Sequence, residues 1–351
     1  MRLRTLEVER LRCVERAVWE PGEGVNIVVG ANGAGKTSLL EAIHLAATGR
    51  VLKPGSARGA IQHGSERLAV RARFGTGLEQ GVVCYERSVS DRVWSLDGET
   101  VKSAIAVYER LPVLVISPET HYAILQDAQA RRAAVYWLMF HVEPLFLESW
   151  QRYQRVLRQR NTALRQRNAN YRAFDPGLVQ TASVLARMWE RLHESLQGRV
   201  AAIATDLGLG REPELVVKWG WGAKTLEEAL EETRETDERL GYTHAGVHRM
   251  DVGLLLDGKP IQEVASHGQQ KVIVSAWRLA LLGAAAARGR PALLLVDDLA
   301  AELDRRRREA FYTMLTEALK DVQVFVTATD GGDFPFPCDM FHVEHGVLSK
   351  P

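Results

Sequence analysis

The sequence predicts an α/β protein in which a mixed sheet flanked by helices forms one lobe and a helical insertion forms another. Three observations carry that prediction. A strand-like run, VNIVVG, enters a glycine-rich turn that opens a helix. Late in the chain, apolar strand runs alternate with helical stretches. Between these regions lies a long helical segment rich in Arg, Gln and Leu.

Taken in order, LRTLEVERL, CVERAVW and VNIVVG alternate as strands over the first thirty residues. A helix is expected from Lys36, with Leu39, Leu40, Ile43 and Ala47 on its buried face. Over residues 68–101 the period-two runs LAVRARF, GVVCYERSV and RVWSL, followed by an Asp-Gly turn, read as an antiparallel sheet. From about residue 120 to residue 206 the pattern is helical, with interruptions expected near Pro144 and at the Asp-Pro-Gly of residues 175–177. Alternation returns over residues 250–257. A long helix follows from about Gln269, then the strand ALLLVDD, a helix over residues 308–319 and the strand VQVFVTA. Strands alternating with helices predict a mainly parallel sheet covered on both faces. The expected division is therefore residues 1–119 and 208–351 as one lobe, with residues 120–207 as the helical insertion. No sustained heptad array and no CxxC hook occur, which excludes long coiled-coil arms.

With 46% hydrophobic and 25% charged positions, 351 residues can bury a large core. The start, MRLRTLEVERLR, is charged throughout, and no run approaches the roughly 20 apolar residues of a membrane span, so a cytoplasmic location and no membrane partner are expected. Cys13, Cys84 and Cys338 are far apart and read as reduced thiols. The balance of 45 basic against 44 acidic residues gives no overall attraction to a polyanion, so any nucleic-acid surface must be local.

The chemistry concentrates in three places. Residues 30–37 read GANGAGKT, the GxxxxGK[ST] phosphate loop with a strand before it and a helix after it. Gly30, Ala31, Asn32, Gly33, Ala34, Gly35, Lys36, Thr37 and Ser38 would surround the phosphates of ATP. Backbone N–H groups and the helix N-terminus supply positive potential, Lys36 reaches the β and γ phosphates, and the Thr37 hydroxyl ligates Mg2+. Leu293 opens LLLVDD, an apolar strand delivering two carboxylates at its carboxyl end. Asp297 would hold the magnesium through its water shell, and Asp298 would orient or deprotonate the attacking water. Between these motifs, SHGQQK over residues 266–271 opens a long helix about thirty residues ahead of the acidic strand. This order resembles the ABC signature, in which Ser266, Gly268, Gln269 and the helix N-terminus would face the γ phosphate held by a second subunit. A two-site sandwich homodimer is the expectation, and an ordinary serine cap is the plainer reading of the same residues.

Together these segments are similar to the RecF family, bacterial DNA replication and repair proteins related to SMC and ABC head domains. The matching stretches are GANGAGKTSLLEAI, ISPE at residues 116–119, RR at 131–132, RYQRVLRQRN at 152–161, GVHRMD at 246–251, SHGQQK, LLLVDDLAAELD at 293–304 and QVFVTAT at 323–329. The resemblance implies an ABC/SMC-head-like P-loop ATPase lobe. It also implies a D-loop at residues 301–304 and a switch segment at Thr327 and Thr329 beside the γ phosphate. The function it implies is an ATP-driven dimer that binds gapped or junction DNA and, with RecR and RecO, promotes RecA loading, its weak DNA-stimulated ATP hydrolysis resetting the clamp. Ala34, Ser38, Lys53, Tyr136, Val247 and His267 depart from the residues usual in that family.

For DNA, the best local candidate is the helical segment of residues 151–172, inside an acid-free stretch of residues 149–174 that holds seven arginines. Arg158, Arg165 and Arg172 recur every seven residues and are expected to share a helical face, with Arg155 adjoining. A solvated basic face is the alternative. His244, His248 and Asp251 read as a structural or nucleotide-proximal element rather than a metal site, and Trp219 and Trp221 read as packing residues. Two further functions share the P-loop. A transporter-type ATPase subunit would dimerise with ATP without DNA-stimulated turnover, and a small-molecule kinase would act as a monomer.

Overall fold

The computed structural model describes residues 1–53, 55–76, 79–298, 305–317, 322–329 and 337–350. The D-loop expected at residues 301–304 lies outside the described residues. Two compact units form, one from residues 1–122, 206–208 and 285–351, the other from residues 123–205 and 209–284.

The first unit contains two sheets. The antiparallel sheet has the order β2-β1-β4-β5-β6-β7, from β1 (Arg2–Leu11), β2 (Val14–Trp19), β4 (Arg67–Thr76), β5 (Glu79–Ser88), β6 (Arg92–Leu96) and β7 (Glu99–Thr100). Its strands alternate as the sequence does: Leu68, Val70, Ala72 and Phe74 are buried, while Arg67, Arg71 and Arg73 are exposed. The second sheet has the order β15-β14-β3-β13-β12-β8, from β3 (Val25–Val29), β8 (Val113–Ile116), β12 (Leu293–Val296), β13 (Val324–Ala328), β14 (Asp339–Glu344) and β15 (Val347–Ser349). All its pairings are parallel except β14 with β15. Strands β3, β8, β12 and β13 are buried at every residue because both faces are covered, and they are apolar apart from Asn26 and Thr327.

Helix α1 (Lys36–Thr48) contacts β1, β4 and β5 of one sheet and β13 of the other, so most of its circumference is buried. Trp19 meets Phe325 and Phe341 edge-on at 5.2 and 5.4 Å, closing the same core. Truncating Ile43, which is fully buried there, would cost about 2–5 kcal/mol. Helices α2 (Ala104–Arg110), α3 (Pro118–Gln126) and α11 (Arg305–Glu317) also begin in this unit.

The second unit contains α4 (Ala128–Val142), α5 (Phe146–Arg165), α6 (Asp175–Asp206), α7 (Leu226–Glu232), α8 (Arg234–Leu240), α9 (Ile261–Val264) and most of α10 (His267–Ala286). A three-stranded antiparallel sheet joins them, ordered β11-β10-β9 from β9 (Pro213–Lys218), β10 (Asp251–Leu256) and β11 (Lys259–Pro260). In α6, Leu178, Ala182, Leu185, Trp189, Leu192, Leu196, Val200 and Ala204 form one buried stripe at helical spacing. Residues 209–284, which the sequence division grouped with the first lobe, pack with residues 123–205 here.

Two local expectations are corrected. Asp-Pro-Gly at residues 175–177 opens α6 instead of interrupting a helix, because Pro176 lacks only a first-turn N–H that has no intrahelical acceptor. Arg172 does not share a helical face with Arg158 and Arg165. Helix α5 ends at Arg165, Arg167 turns the chain at φ 54, and Arg172 lies in a 3-10 turn with its guanidinium on Glu231 at 2.7 Å.

Candidate functional site

The phosphate loop links the end of β3 to the start of α1 at the carboxyl end of the parallel strands, where open α/β sheets bind ligands. Backbone fit explains two of its glycines. A Cβ at Gly30 would stand 2.3 Å from the Val343 carbonyl oxygen, and Gly35, which caps α1, has φ 115. The first turn of α1 carries no acidic residue, so its unpaired N–H groups present an uncancelled positive end. Lys36 Nζ donates to the Gly30 and Ala31 carbonyls at 2.8 and 3.0 Å. Burial lowers the Lys36 pKa, against the pull of Asp298 and Asp297.

Strand β12 delivers Asp297 beneath this loop. The Thr37 hydroxyl donates to its carboxylate, lying 3.0 Å from both oxygens, across 260 residues of sequence. The Thr327 hydroxyl, from the adjacent β13, donates to Asp297 Oδ1 at 2.7 Å and accepts from the Asp298 N–H at 2.9 Å. Burial raises the Asp297 pKa, and the two hydroxyls restrain that rise because they bond the charged form. Asp298 follows at φ 52, a left-handed conformation that aspartate tolerates better than most residues, and is exposed. A hydroxyl and a carboxylate so placed are hard oxygen donors, the set that suits Mg2+.

These groups line one cavity of about 460 Å3, together with Asn32, Gly33, Ser38 and Lys53. Its size suits a nucleotide-sized ligand. The same cavity is lined by residues that motif reading passed over: Arg12, Cys13 and Glu41. Arg12 forms a two-point pair with Glu41, Nε to Oε2 at 2.8 Å and Nη2 to Oε1 at 3.0 Å. That bond raises the Arg12 pKa. The available signal was Glu41 itself, a carboxylate inside the apolar run LLEAI that needs a cation from elsewhere.

The signature residues belong to the second unit. Ser266 Oγ accepts from the Gln269 N–H at 3.3 Å, and Gln269 Oε1 accepts from the Ser266 N–H at 2.9 Å. This reciprocal capping box opens α10 with Ser266 and His267 exposed and Gly268 partly so. Arg155, Arg158 and Arg165 are exposed on α5. His244, His248 and Asp251 take separate partners: Asp237, the Tyr153 hydroxyl and Arg131.

A strand, phosphate loop and helix set above a strand-end carboxylate pair, with a capped signature helix elsewhere in the chain, define an ABC/SMC-head-like P-loop protein. Residues 2–337 match the family described as RecF/RecN/SMC N terminal domain, and the chain belongs to the RecF family. The DNA replication and repair protein RecF of Thioalkalivibrio sulfidiphilus is 35% identical over 364 residues, spanning 99% of each chain. That of Shewanella pealeana is 31% identical over 361 residues, again 99% of each. A solved structure of the recombination mediator protein RecF with ATP, of the RecFOR pathway, matches with a TM-score of 0.86 and 22% identity, covering 99% of this chain and 97% of that one. At that identity the structural match speaks to the fold.

Proposed function

We propose that this chain is an ATP-dependent DNA-binding protein of recombinational repair and replication-fork maintenance. It dimerises around ATP, binds gapped or junction DNA, and cooperates with RecR and RecO in loading RecA. The observation that carries the nucleotide part is the cluster of Thr37, Asp297, Thr327 and the Asp298 backbone under the phosphate loop. Thr37 and Asp297 would hold Mg2+, which neutralises phosphate charge when bound. Lys36 offsets the charge of the outer phosphates, Asp298 orients the attacking water and accepts its proton, and Thr327 holds the Asp297 carboxylate and the Asp298 backbone in relation to the loop. Arg12 supplies a further cation at the same cavity. The partner proteins and the repair role rest on family membership, since the relatives of Thioalkalivibrio and Shewanella both carry the name DNA replication and repair protein RecF.

The dimer part rests on the exposed, capped start of α10. Its test is sedimentation with and without ATP and gapped DNA. Ser266→Arg places a bulky cation at that helix start and is expected to spare ATP binding while blocking ATP-driven dimerisation and turnover. Lys36→Ala is expected to lose ATP binding itself. Mixing the two variants leaves one composite site with an intact loop and an intact signature, so part of the dimer or turnover returns. A Ser266→Arg protein that dimerises with ATP at the wild-type affinity defeats the sandwich reading. Turnover indifferent to DNA points to a transporter-type ATPase, and a strictly monomeric enzyme points to a small-molecule kinase.

A further inference from the structure

Within the second unit, β9 ends at Lys218 and the chain continues Trp219-Gly220-Trp221-Gly222-Ala223-Lys224. The two indoles lie together, with ring centroids 5.2 Å apart and planes 31° apart. Both stay partly exposed, whereas Trp19, Trp189 and Trp277 are fully buried. The loop is held from below. Gly246 N donates to the Gly220 carbonyl at 3.1 Å, and a Cβ at Gly220 would stand 2.1 Å from the Gly246 carbonyl oxygen and 2.7 Å from Arg249 Cβ. A partly exposed aromatic pair on a braced loop presents ring faces with little motion left to lose on binding.

From the indole pair the surface leads onward through charged and aromatic groups. The exposed Arg249 guanidinium lies 5.9 Å from the centre of the Tyr242 ring, and Tyr242 is 38% exposed. Beside Tyr242, Gly241 lies against Arg165: a Cβ there would meet Arg165 Cγ at 3.1 Å. Arg165, Arg167, Arg239 and Asn168 line a groove of about 820 Å3 where α5 ends. Glu235 and Glu238 line it too, and Glu238 Oε1 accepts the Tyr171 hydroxyl at 2.6 Å. Among the described residues none of the three arginines forms an ion pair, and Arg155 and Arg158 extend the exposed charge along α5.

We infer that this strip, from the Trp219/Trp221 pair through Arg249 and Tyr242 to the Arg165/Arg167/Arg239 groove, binds an unpaired nucleic-acid strand. The inference rests on the proposed reading of the chain as DNA-binding and adds to it which part of a gapped substrate is held, and where. In a duplex both faces of each base are covered by stacking, so an indole pair can take a base only from an unpaired strand. The guanidinium groove takes the phosphodiester backbone of the same strand. The Trp pair supplies affinity that tolerates any base, and the groove supplies affinity that salt weakens.

The test uses the full chain and an oligothymidylate of about 15 nucleotides, near the upper end of single-strand site sizes. Binding is followed by quenching of tryptophan fluorescence and by anisotropy of a labelled strand, with duplex and gapped duplex measured in parallel. Wild type is expected to be quenched. The double variant Trp219→Leu, Trp221→Leu is expected to bind the strand about 10-fold or more weakly, while Trp219→Phe, Trp221→Phe retains most affinity because a phenyl ring also stacks. Arg167→Gln and Arg239→Gln are each expected to lower the slope of log affinity against log salt by about 0.7 for each phosphate no longer neutralised. Duplex affinity should be unchanged by the Trp substitutions, and an unchanged urea-unfolding profile certifies the fold of each variant. Equal strand affinity in wild type and the Leu variant overturns the inference, as does a Trp pair needed only for binding a protein partner. A wild type that binds duplex and gapped DNA but not the free strand sinks this inference alone. One that binds no DNA at all sinks the DNA-binding reading beneath it.

Discussion

Replacing Thr327 with valine tests whether one hydroxyl at the end of β13 organises the Asp297 carboxylate and the Asp298 backbone. Thr327 is 1% exposed, and valine fills nearly the same space. The substitution removes the donor to Asp297 and the acceptor of the Asp298 N–H. A hydrogen bond to a charged group contributes about 1.5–3 kcal/mol, and leaving the part-buried Asp298 N–H unbonded costs less than the about 1–3 kcal/mol of a fully buried donor. Both effects pass through one hydroxyl and relax together, so the net loss is expected to be about 2–4 kcal/mol. Thr327→Ser keeps the hydroxyl and loses a methyl group, at a cost of about 1 kcal/mol. Stability should therefore fall in the order wild type, Ser, Val.

The same substitution has a pH signature. Burial already raises the Asp297 pKa, and the Thr327 hydroxyl restrains it, so valine raises it further. Metal binding needs the ionised carboxylate, so Mg2+-dependent ATP affinity should begin to fall at a higher pH in the valine variant as the solution is acidified. Stability without ligand moves oppositely. A carboxylate whose folded pKa is raised favours folding most below its unfolded pKa, and that contribution is lost as pH rises through the folded value. Urea unfolding compares the three proteins, and titration with ATP plus Mg2+ or EDTA between about pH 5 and about pH 8 measures the second effect. If Val and Ser are equally stable and share one pH profile, the hydroxyl does not organise the site.

Asp298→Asn should keep ATP affinity and lose most turnover, since the amide cannot accept a proton, and the ATP-bound dimer should accumulate in sedimentation. Arg160→Met should destabilise the second unit by roughly 3–5 kcal/mol, because it strips the guanidinium from Asp237, which is 0% exposed; earlier urea unfolding of that unit is the measurement, and adding Asp237→Leu should restore part of the loss. His248 has its pKa lowered to about 4, chiefly by burial, so the fold favours its neutral form. Its contribution is complete above the usual imidazole pKa and is lost as pH falls towards about 4, on a scale of roughly 3 kcal/mol, and His248→Gln should flatten that part of the urea-midpoint profile.

What the sequence made legible was local. GANGAGKT and LLLVDD each place their chemistry within one turn of a known strand, so their positions follow once the strand is recognised. The antiparallel run over residues 68–101 was equally readable from its alternation and its Asp-Gly turn. Thr37 and Asp297 were each assigned to magnesium, but their direct bond joins residues 260 apart and needs the order of β3, β13 and β12. Arg12 and Glu41 escaped for a related reason. An isolated arginine in a turn and a glutamate on a helix carry no motif, and their pairing depends on how the β1–β2 turn meets α1.

The arginine-rich helix shows where counting charges fails and patterning would have succeeded. Tyr153, Leu157, Arg160 and Leu164 follow one another at spacings of four, three and four, and all are buried, so Arg160 occupies the core stripe of α5. A cation on such a stripe must find carboxylates. It finds Asp175 and Asp237 at 2.7 Å each, with the Thr243 hydroxyl at 2.9 Å, and the latter two lie 77 and 83 residues away. The acidic residues 225–240 supply its structural counter-charge at Asp237 and a surface pair at Glu231. Two of the seven arginines in the acid-free stretch are therefore already matched to that segment, Arg160 in the core and Arg172 at the surface. Any phosphate contact falls to the exposed members, Arg155, Arg158, Arg165 and Arg167, which carry no carboxylate partner among the described residues.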